Sequence, residues 1–163
     1  MDTLNHQINF DKTILGNSTL LYLEDDEVIR KETLSIFEKV FEKVFVGSNG
    51  KQGLELYNSN KNEIDVILTD INMPIMDGIE FMAEVRKEDF SLPILVVTAF
   101  NDINVLVKVI KLNISDYIIK PMLMNSTLKI LSRILTDKLN QKLVDKQKNE
   151  LQIYKEILDK ENL

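Results

Sequence analysis

Five side chains have the types and spacing to do phosphoryl chemistry together: Glu24, Asp25, Asp70, Thr98 and Lys120. Two adjacent carboxylates with a third across a crevice concentrate negative charge. A hard divalent cation with oxygen ligands and retained waters relieves that repulsion, and magnesium suits a site with few protein ligands. An ion held there neutralises phosphoryl oxygens. A carboxylate can then act as nucleophile and become an aspartyl phosphate. A hydroxyl and an ammonium, such as those of Thr98 and Lys120, can bind the remaining phosphoryl oxygens.

What makes these five a set is where they fall. Short apolar runs occur at Thr19–Leu23, Val44–Val46, Ile64–Leu68, Pro93–Val97 and Tyr117–Ile119, and helical patterns separate them. Runs without clear alternation are expected of strands buried on both faces. Strand–helix alternation implies parallel pairing with right-handed crossovers. The expected fold is therefore α/β, a doubly wound sheet of five parallel strands covered by helices. In such sheets the functional crevice lies beyond the carboxyl ends of the strands. Glu24 and Asp25 follow the first run, Asp70 closes the third, Thr98 the fourth and Lys120 the fifth. Acids after a strand also serve as helix N-caps, and Asp26 fits that role. Capping does not explain four such positions at once.

The remainder of the chain narrows the chemistry. The 163 residues are 44% hydrophobic and carry a net charge of −6. That size suits one domain with an appendage. The charge disfavours direct binding of nucleic acid. No apolar run approaches a membrane span, and MDTLNHQINFDK does not read as a secretory signal, so a cytoplasmic location is expected. Three Asn-X-Ser/Thr matches, starting at Asn17, Asn113 and Asn125, are then chance. There is no cysteine, and His6 is the single histidine. Disulfides, a histidine-based triad and a multi-histidine metal site within one chain are excluded. Gly47-Ser48-Asn49-Gly50-Lys51-Gln52-Gly53 superficially suggests a phosphate loop, but the spacing fails and Gln52 stands where Ser or Thr must bind the metal. It reads as a turn.

The stretches LLYLEDDEVIR, VILTDINMPIMDGIEFM, LPILVVTAF and SDYIIKPM resemble the defining segments of receiver domains of the bacterial response-regulator type, over about residues 18–135. The resemblance implies a flavodoxin-like (βα)5 fold with Asp70 as phosphoacceptor. It implies a magnesium ion on Asp25, Asp70 and the backbone carbonyl of Asn72, with Glu24 acting through a water. Thr98 and Lys120 would contact the phosphoryl group, Tyr117 would be the aromatic switch residue, and Lys120-Pro121 would be cis. The phosphoryl donor would be a sensor histidine kinase or a phosphotransfer protein. The chain would be a switch and not an enzyme. Two rival readings stay open: a magnesium-dependent aspartyl-phosphate phosphatase, against which Asn72 stands where such enzymes carry a second Asp, and an interaction domain that is never phosphorylated. Phe100 either screens the acyl phosphate from water, slowing its loss, or packs on its loop.

Three organisational expectations follow. Residues 1–17 read as a loose polar leader, 18–136 as the receiver domain and 137–163 as a helical extension. In the first helix Val28, Leu34, Phe37 and Phe41 recur at helical spacing. In the helix of residues 102–112, Ile103, Leu106, Val107 and Ile110 are assigned to the core. Val105, Val109 and Leu112 form a second stripe, either covered by neighbours or free for a partner such as a second copy. In the extension, Val144, Leu151 and Leu158 sit seven apart with Gln147 and Tyr154 between them. That short heptad signal fits a parallel dimer stalk, a helix folded back on the domain, or a frayed tail.

Overall fold

The computed structural model describes residues 10–99 and 103–161. Its elements run α1 (Lys12–Gly16), β1 (Thr19–Leu23), α2 (Glu27–Val40), β2 (Lys43–Gly47), α3 (Gly50–Asn60), β3 (Val66–Asp70), α4 (Gly78–Glu88), β4 (Ile94–Thr98), α5 (Ile103–Lys111), β5 (Asp116–Ile119) and α6 (Met124–Glu161). The five strands form one sheet in the order β2-β1-β3-β4-β5, and every pairing is parallel. This is the doubly wound, flavodoxin-like order expected from the alternating runs.

Strand residues divide between two cores with period two. Leu21, Leu23, Ile67, Ile94 and Val96 pack on one face with Tyr57 of α3, Phe81 of α4 and Val109 of α5. Leu20, Tyr22, Val66, Leu68, Leu95 and Val97 pack on the other with Phe37 of α2 and Leu128, Leu131 and Leu135 of α6. Every residue of β1 and β3 is buried. Burying a leucine or isoleucine side chain fully stabilises by about 1.5–3 kcal/mol each. The sheet centre is thus the most strongly specified part of the chain. Helix starts are set by side-chain caps. Asp26 accepts from Val28 and Ile29 N–H at 2.9 and 3.0 Å, the capping role expected for it. Asp77 and Glu80 form a reciprocal capping box on α4.

Two expectations are corrected. The stretch expected as a loose leader contains α1, capped by Asp11. Leu15 of this helix is fully buried in the α2–α6 core, and the Asp11 N–H donates to Ser132 Oγ of α6 at 2.9 Å. One core contact thus anchors a segment that is polar in composition. Val28 in the capped first turn of α2 is exposed, whereas Phe37 and Phe41 are buried. In α5 the two apolar stripes exchange roles. Val109 is buried with Val105 and Leu112 against the core, while Ile103, Val107 and Ile110 are exposed. Helical periodicity identifies two apolar faces but not which one meets the sheet. Contacts to α4 decide it: Arg86 donates to the carbonyls of Leu112 and Asn113 at 2.7 and 3.1 Å.

The last helix is continuous over 38 residues. Its first part fills the core through Leu135, whereas every residue from 139 to 161 is exposed. Over these residues the helix is continuous and does not fold back on the domain. Among the described residues, no helix is long and apolar enough to cross a membrane.

Candidate functional site

The parallel register brings the strand ends to one edge. Leu23 of β1 pairs with Thr69 of β3, placing Glu24 and Asp25 beside Asp70. Asp70 pairs with Val97 of β4, and Thr98, one residue on, pairs with Ile119 of β5, one residue before Lys120. The Lys120 N–H donates to the Thr98 carbonyl at 2.9 Å, extending the ladder to the site.

Glu24, Asp25 and Asp70 each offer a carboxylate oxygen, and these oxygens lie within 4.8 Å of one another. Glu24 and Asp70 are buried while Asp25 is exposed. Lys120 Nζ forms an ion pair with Asp70 Oδ2, and the Asn72 N–H donates to Asp70 Oδ1 at 3.3 Å. Burial pushes the Glu24 carboxyl above its ordinary value. The Asp26 N–H at 3.0 Å opposes that rise, the charge of Asp70 adds to it, and Lys120 offsets part of it. Burial alone would lower the Lys120 ammonium, but the hydrogen bond and charge of Asp70, with Glu24 and Asp25, hold it above its usual value. Such a cluster of hard oxygen donors, compensated by one lysine, fits a divalent cation that keeps part of its water shell. Glu24, Asp25 and Asp70 are the residues that would hold it.

The loops around the site are constrained by packing. A Cβ on Gly78 would stand 2.2 Å from the Asp70 carbonyl oxygen, and the Gly78 N–H donates to the Ile71 carbonyl at 2.8 Å. Only glycine lets α4 start directly against the strand end that carries Asp70. A Cβ on Gly50 would meet the Met76 carbonyl at 2.6 Å, and one on Gly53 would meet Leu23 at 2.4 Å. The glycine-rich stretch expected as a turn is thus corrected from Gly50 onward: Asn49 caps α3, and Gly50 and Gly53 lie in its first turn, where they allow close packing. Ile75 adopts φ 71°, a left-handed conformation that costs a β-branched residue about 1–3 kcal/mol. It lies in the loop that follows Asp70.

Of the predicted site residues, Glu24, Asp25, Asp70 and Lys120 converge directly. Asn72 adjoins Asp70 through its N–H. Thr98 is half-buried at the end of the neighbouring strand. Tyr117 lies on β5, opposite Val96, and the residue is 40% exposed. The Lys120-Pro121 peptide is cis. Phe100 and His6 lie outside the described residues.

Two residues escaped the sequence reading. Arg30 donates to the carbonyls of Glu24 and Asp25 at 2.9 and 3.1 Å, fixing the loop that carries the acidic pair. Its position one turn into α2 was the available signal. Tyr22 is 1% exposed, stacks edge-on against Phe37 at 5.3 Å, and its hydroxyl has no hydrogen-bond partner among the described residues. Thr33 approaches that hydroxyl without meeting hydrogen-bond geometry. Burial raises the Tyr22 pKa, so the phenol stays neutral.

Comparison with known proteins agrees with this geometry. The family described as response regulator receiver domain matches residues 20–132. The chemotaxis protein CheY of Halobacterium salinarum is 31% identical over 117 residues, covering 72% of this chain and 96% of CheY. The probable C4-dicarboxylate response regulator DctR of Priestia megaterium is 30% identical over 105 residues, covering 63% of this chain and 45% of DctR. The chain thus matches less than half the length of that regulator. Among solved structures, the receiver domain of the Francisella response regulator 1452 shares 29% identity with a TM-score of 0.64, covering 76% of this chain and 99% of that one. An N-terminal domain from Wolinella succinogenes shares 26% identity with a TM-score of 0.70, covering 76% and 98%. With the family match spanning most of its length and its strand-end carboxylates and lysine in place, the chain belongs to the response regulator receiver domain family.

Proposed function

We propose that this receiver domain is a phosphoacceptor switch in which Asp70 takes a phosphoryl group from a histidine kinase or phosphotransfer protein. The observation that carries this reading is the cluster of three carboxylates within 4.8 Å, with Lys120 already paired to the buried Asp70. In the transfer, an Asp70 carboxylate oxygen forms the bond to phosphorus while the phosphorus–nitrogen bond to the donor imidazole breaks. The imidazole leaves with the bonding electron pair. Magnesium, held by Glu24, Asp25, Asp70 and the Asn72 carbonyl, would supply positive charge to the phosphoryl oxygens. Lys120 would shift from Asp70 to a phosphoryl oxygen, and the Thr98 hydroxyl would donate to another.

Room for a donor exists beside the site. A cavity of about 540 Å³ lies between α2 and the β5–α6 connection, where Ile29, Pro121 and Met122 give an apolar rim and Glu24 and Lys120 a polar floor. A kinase donor implies a cytoplasmic setting. For output, a hydroxyl drawn toward a new dianion at Asp70 would vacate space behind Thr98, and Tyr117 would turn inward. The surface that this motion reshapes is apolar: Ile103, Val107, Ile110, Tyr117, Ile119 and Leu123 are all exposed. It suits a downstream partner or a second receiver.

The test is incubation with a small phosphodonor and magnesium, read by intact mass and by donor hydrolysis. The switch reading expects one phosphoryl group retained on the chain, lost in Asp70→Asn and in chelator. Multiple turnover without retention would instead favour a phosphatase. No magnesium-dependent labelling would favour an unphosphorylated interaction domain.

A further inference from the structure

The half of α6 beyond the domain is an amphipathic rod with no partner among the described residues. All residues from 139 to 161 are exposed. At 100° per residue, Leu143, Val144, Leu151, Tyr154, Ile157 and Leu158 fall within an arc of about 140°. Tertiary packing of an apolar face supplies most of the stability of a protein helix, and here that face is exposed and covered by none of the described residues.

Charge selects the occupant. Residues 139–161 hold five lysines and five acids, a net charge of zero. Nucleic acid and anionic membrane both require a basic face, and this stretch offers none. The charges are instead placed for self-pairing. With Val144, Leu151 and Leu158 taken as the a positions of a heptad, Gln147 and Tyr154 fall at d. The flanking e positions are Lys148 and Lys155, and the g positions are Leu143, Glu150 and Ile157. In a parallel pair, g of one helix faces e of the following heptad on the other. Glu150 then meets Lys155 of the second copy, twice by symmetry, and Leu143 and Ile157 widen the seam. An antiparallel pair centred on Leu151 would bring Lys148 beside Lys155 of the second copy, also twice, and repel. A polar residue in the seam, Gln147, favours one register at a cost in stability.

We propose that this half of α6 pairs with a second copy of the chain, in parallel and in register, as a two-stranded coiled coil that holds two receiver domains side by side. This goes beyond the phosphoacceptor reading and does not depend on it, so Asp70→Asn is expected to leave the pairing intact.

The experiment measures the mass of the full chain in solution by light scattering, for the parent, for Leu151→Glu with Leu158→Glu, and for Val144→Cys under oxidation. The substituted side chains lie outside the receiver core, so the urea midpoint of the receiver should not change in any variant, while the helical signal of the full chain falls in the double-glutamate variant as the unpaired half of α6 loses its support. The expected results are a dimer for the parent and a dimer dissociation constant raised at least about a hundredfold by the paired glutamates. Val144→Cys should cross-link to itself, since an off-centre a position faces its own copy only in the parallel register; the chain has no other cysteine. A monomeric parent overturns the proposal. So does a dimer that persists in the double-glutamate variant, which would point to the apolar α5–β5 surface. A dimer that the glutamates dissolve but Val144→Cys fails to cross-link overturns the parallel register.

Discussion

Strands β3 and β5 both deliver a charged residue to the same point, yet they are built differently. All five residues of β3 are buried, and it pairs on both sides, with β1 and β4. β5 is an edge strand paired only with β4. It alternates half-buried and exposed positions, with Tyr117 and Ile119 facing outward. Asp70 therefore ends a strand that is buried throughout and paired on both sides, while Tyr117 lies on, and Lys120 just after, a strand with a single neighbour. Local stability follows buried packing. A charge placed on the fixed strand has a looser neighbour available to respond, which is what a switch requires.

Substitution tests this contrast first through stability. Leu68→Ala in β3 removes a fully buried side chain and is expected to cost about 2–5 kcal/mol. Ile119→Ala on the exposed face of β5 is expected to change stability by less than about 0.5 kcal/mol. Urea unfolding of both variants, with equal slopes, checks it. Similar costs would remove the distinction between the strands.

Gly78→Ala is intermediate. Its Cβ would collide with the backbone that carries Asp70, so neither side can yield cheaply. A loss of about 1–3 kcal/mol is expected, with phosphoryl uptake lowered as the acceptor moves. Full uptake at parental rate would show that the strand end tolerates displacement.

The smallest expected effect has the opposite sign. Folding raises the Glu24 pKa because the carboxyl is buried beside Asp70. Its contribution is therefore favourable below the unfolded value, where it is protonated, and is lost as pH rises through the folded one. At neutral pH without divalent ion, Glu24→Gln should raise the urea midpoint and flatten its dependence on pH in that window, while weakening stabilisation by magnesium. A lowered midpoint would mean that the ionised form is favoured by partners other than a cation. Stability given up at a site for the sake of binding is a common trade.

Much of this was legible in the sequence because its causes are local. Continuous apolar runs such as Leu20–Leu23 and Val66–Leu68 marked strands buried on both faces, and the strand-end rule then pointed to Glu24, Asp25, Asp70, Thr98 and Lys120. Where tertiary contacts decide, the sequence was silent. α1 has five residues, too few for a periodic signal, and its place rests on Leu15 entering a core built by distant helices. The orientation of α5 goes with Arg86 of α4 bonding to the carbonyls of Leu112 and Asn113 just past its end. Arg30 acts on backbone oxygens, which no side-chain motif announces. Nothing in the type of Ile75 suggests a left-handed backbone. Tyr22 reads as one more strand residue, and only the packing against Phe37 shows a phenol enclosed beneath the site.

The central claim is that a phosphoryl group fixed on β3 is read by the β4–α5–β5 side. The most direct measurement is hydrogen exchange across the chain with and without magnesium and beryllofluoride, which mimics the phosphoryl group. The account predicts altered exchange in α5, β5 and the residues around Thr98, with β1 and β3 unchanged apart from the site itself. Exchange that changes mainly in β1 and β3, or nowhere beyond the acidic cluster, would contradict it.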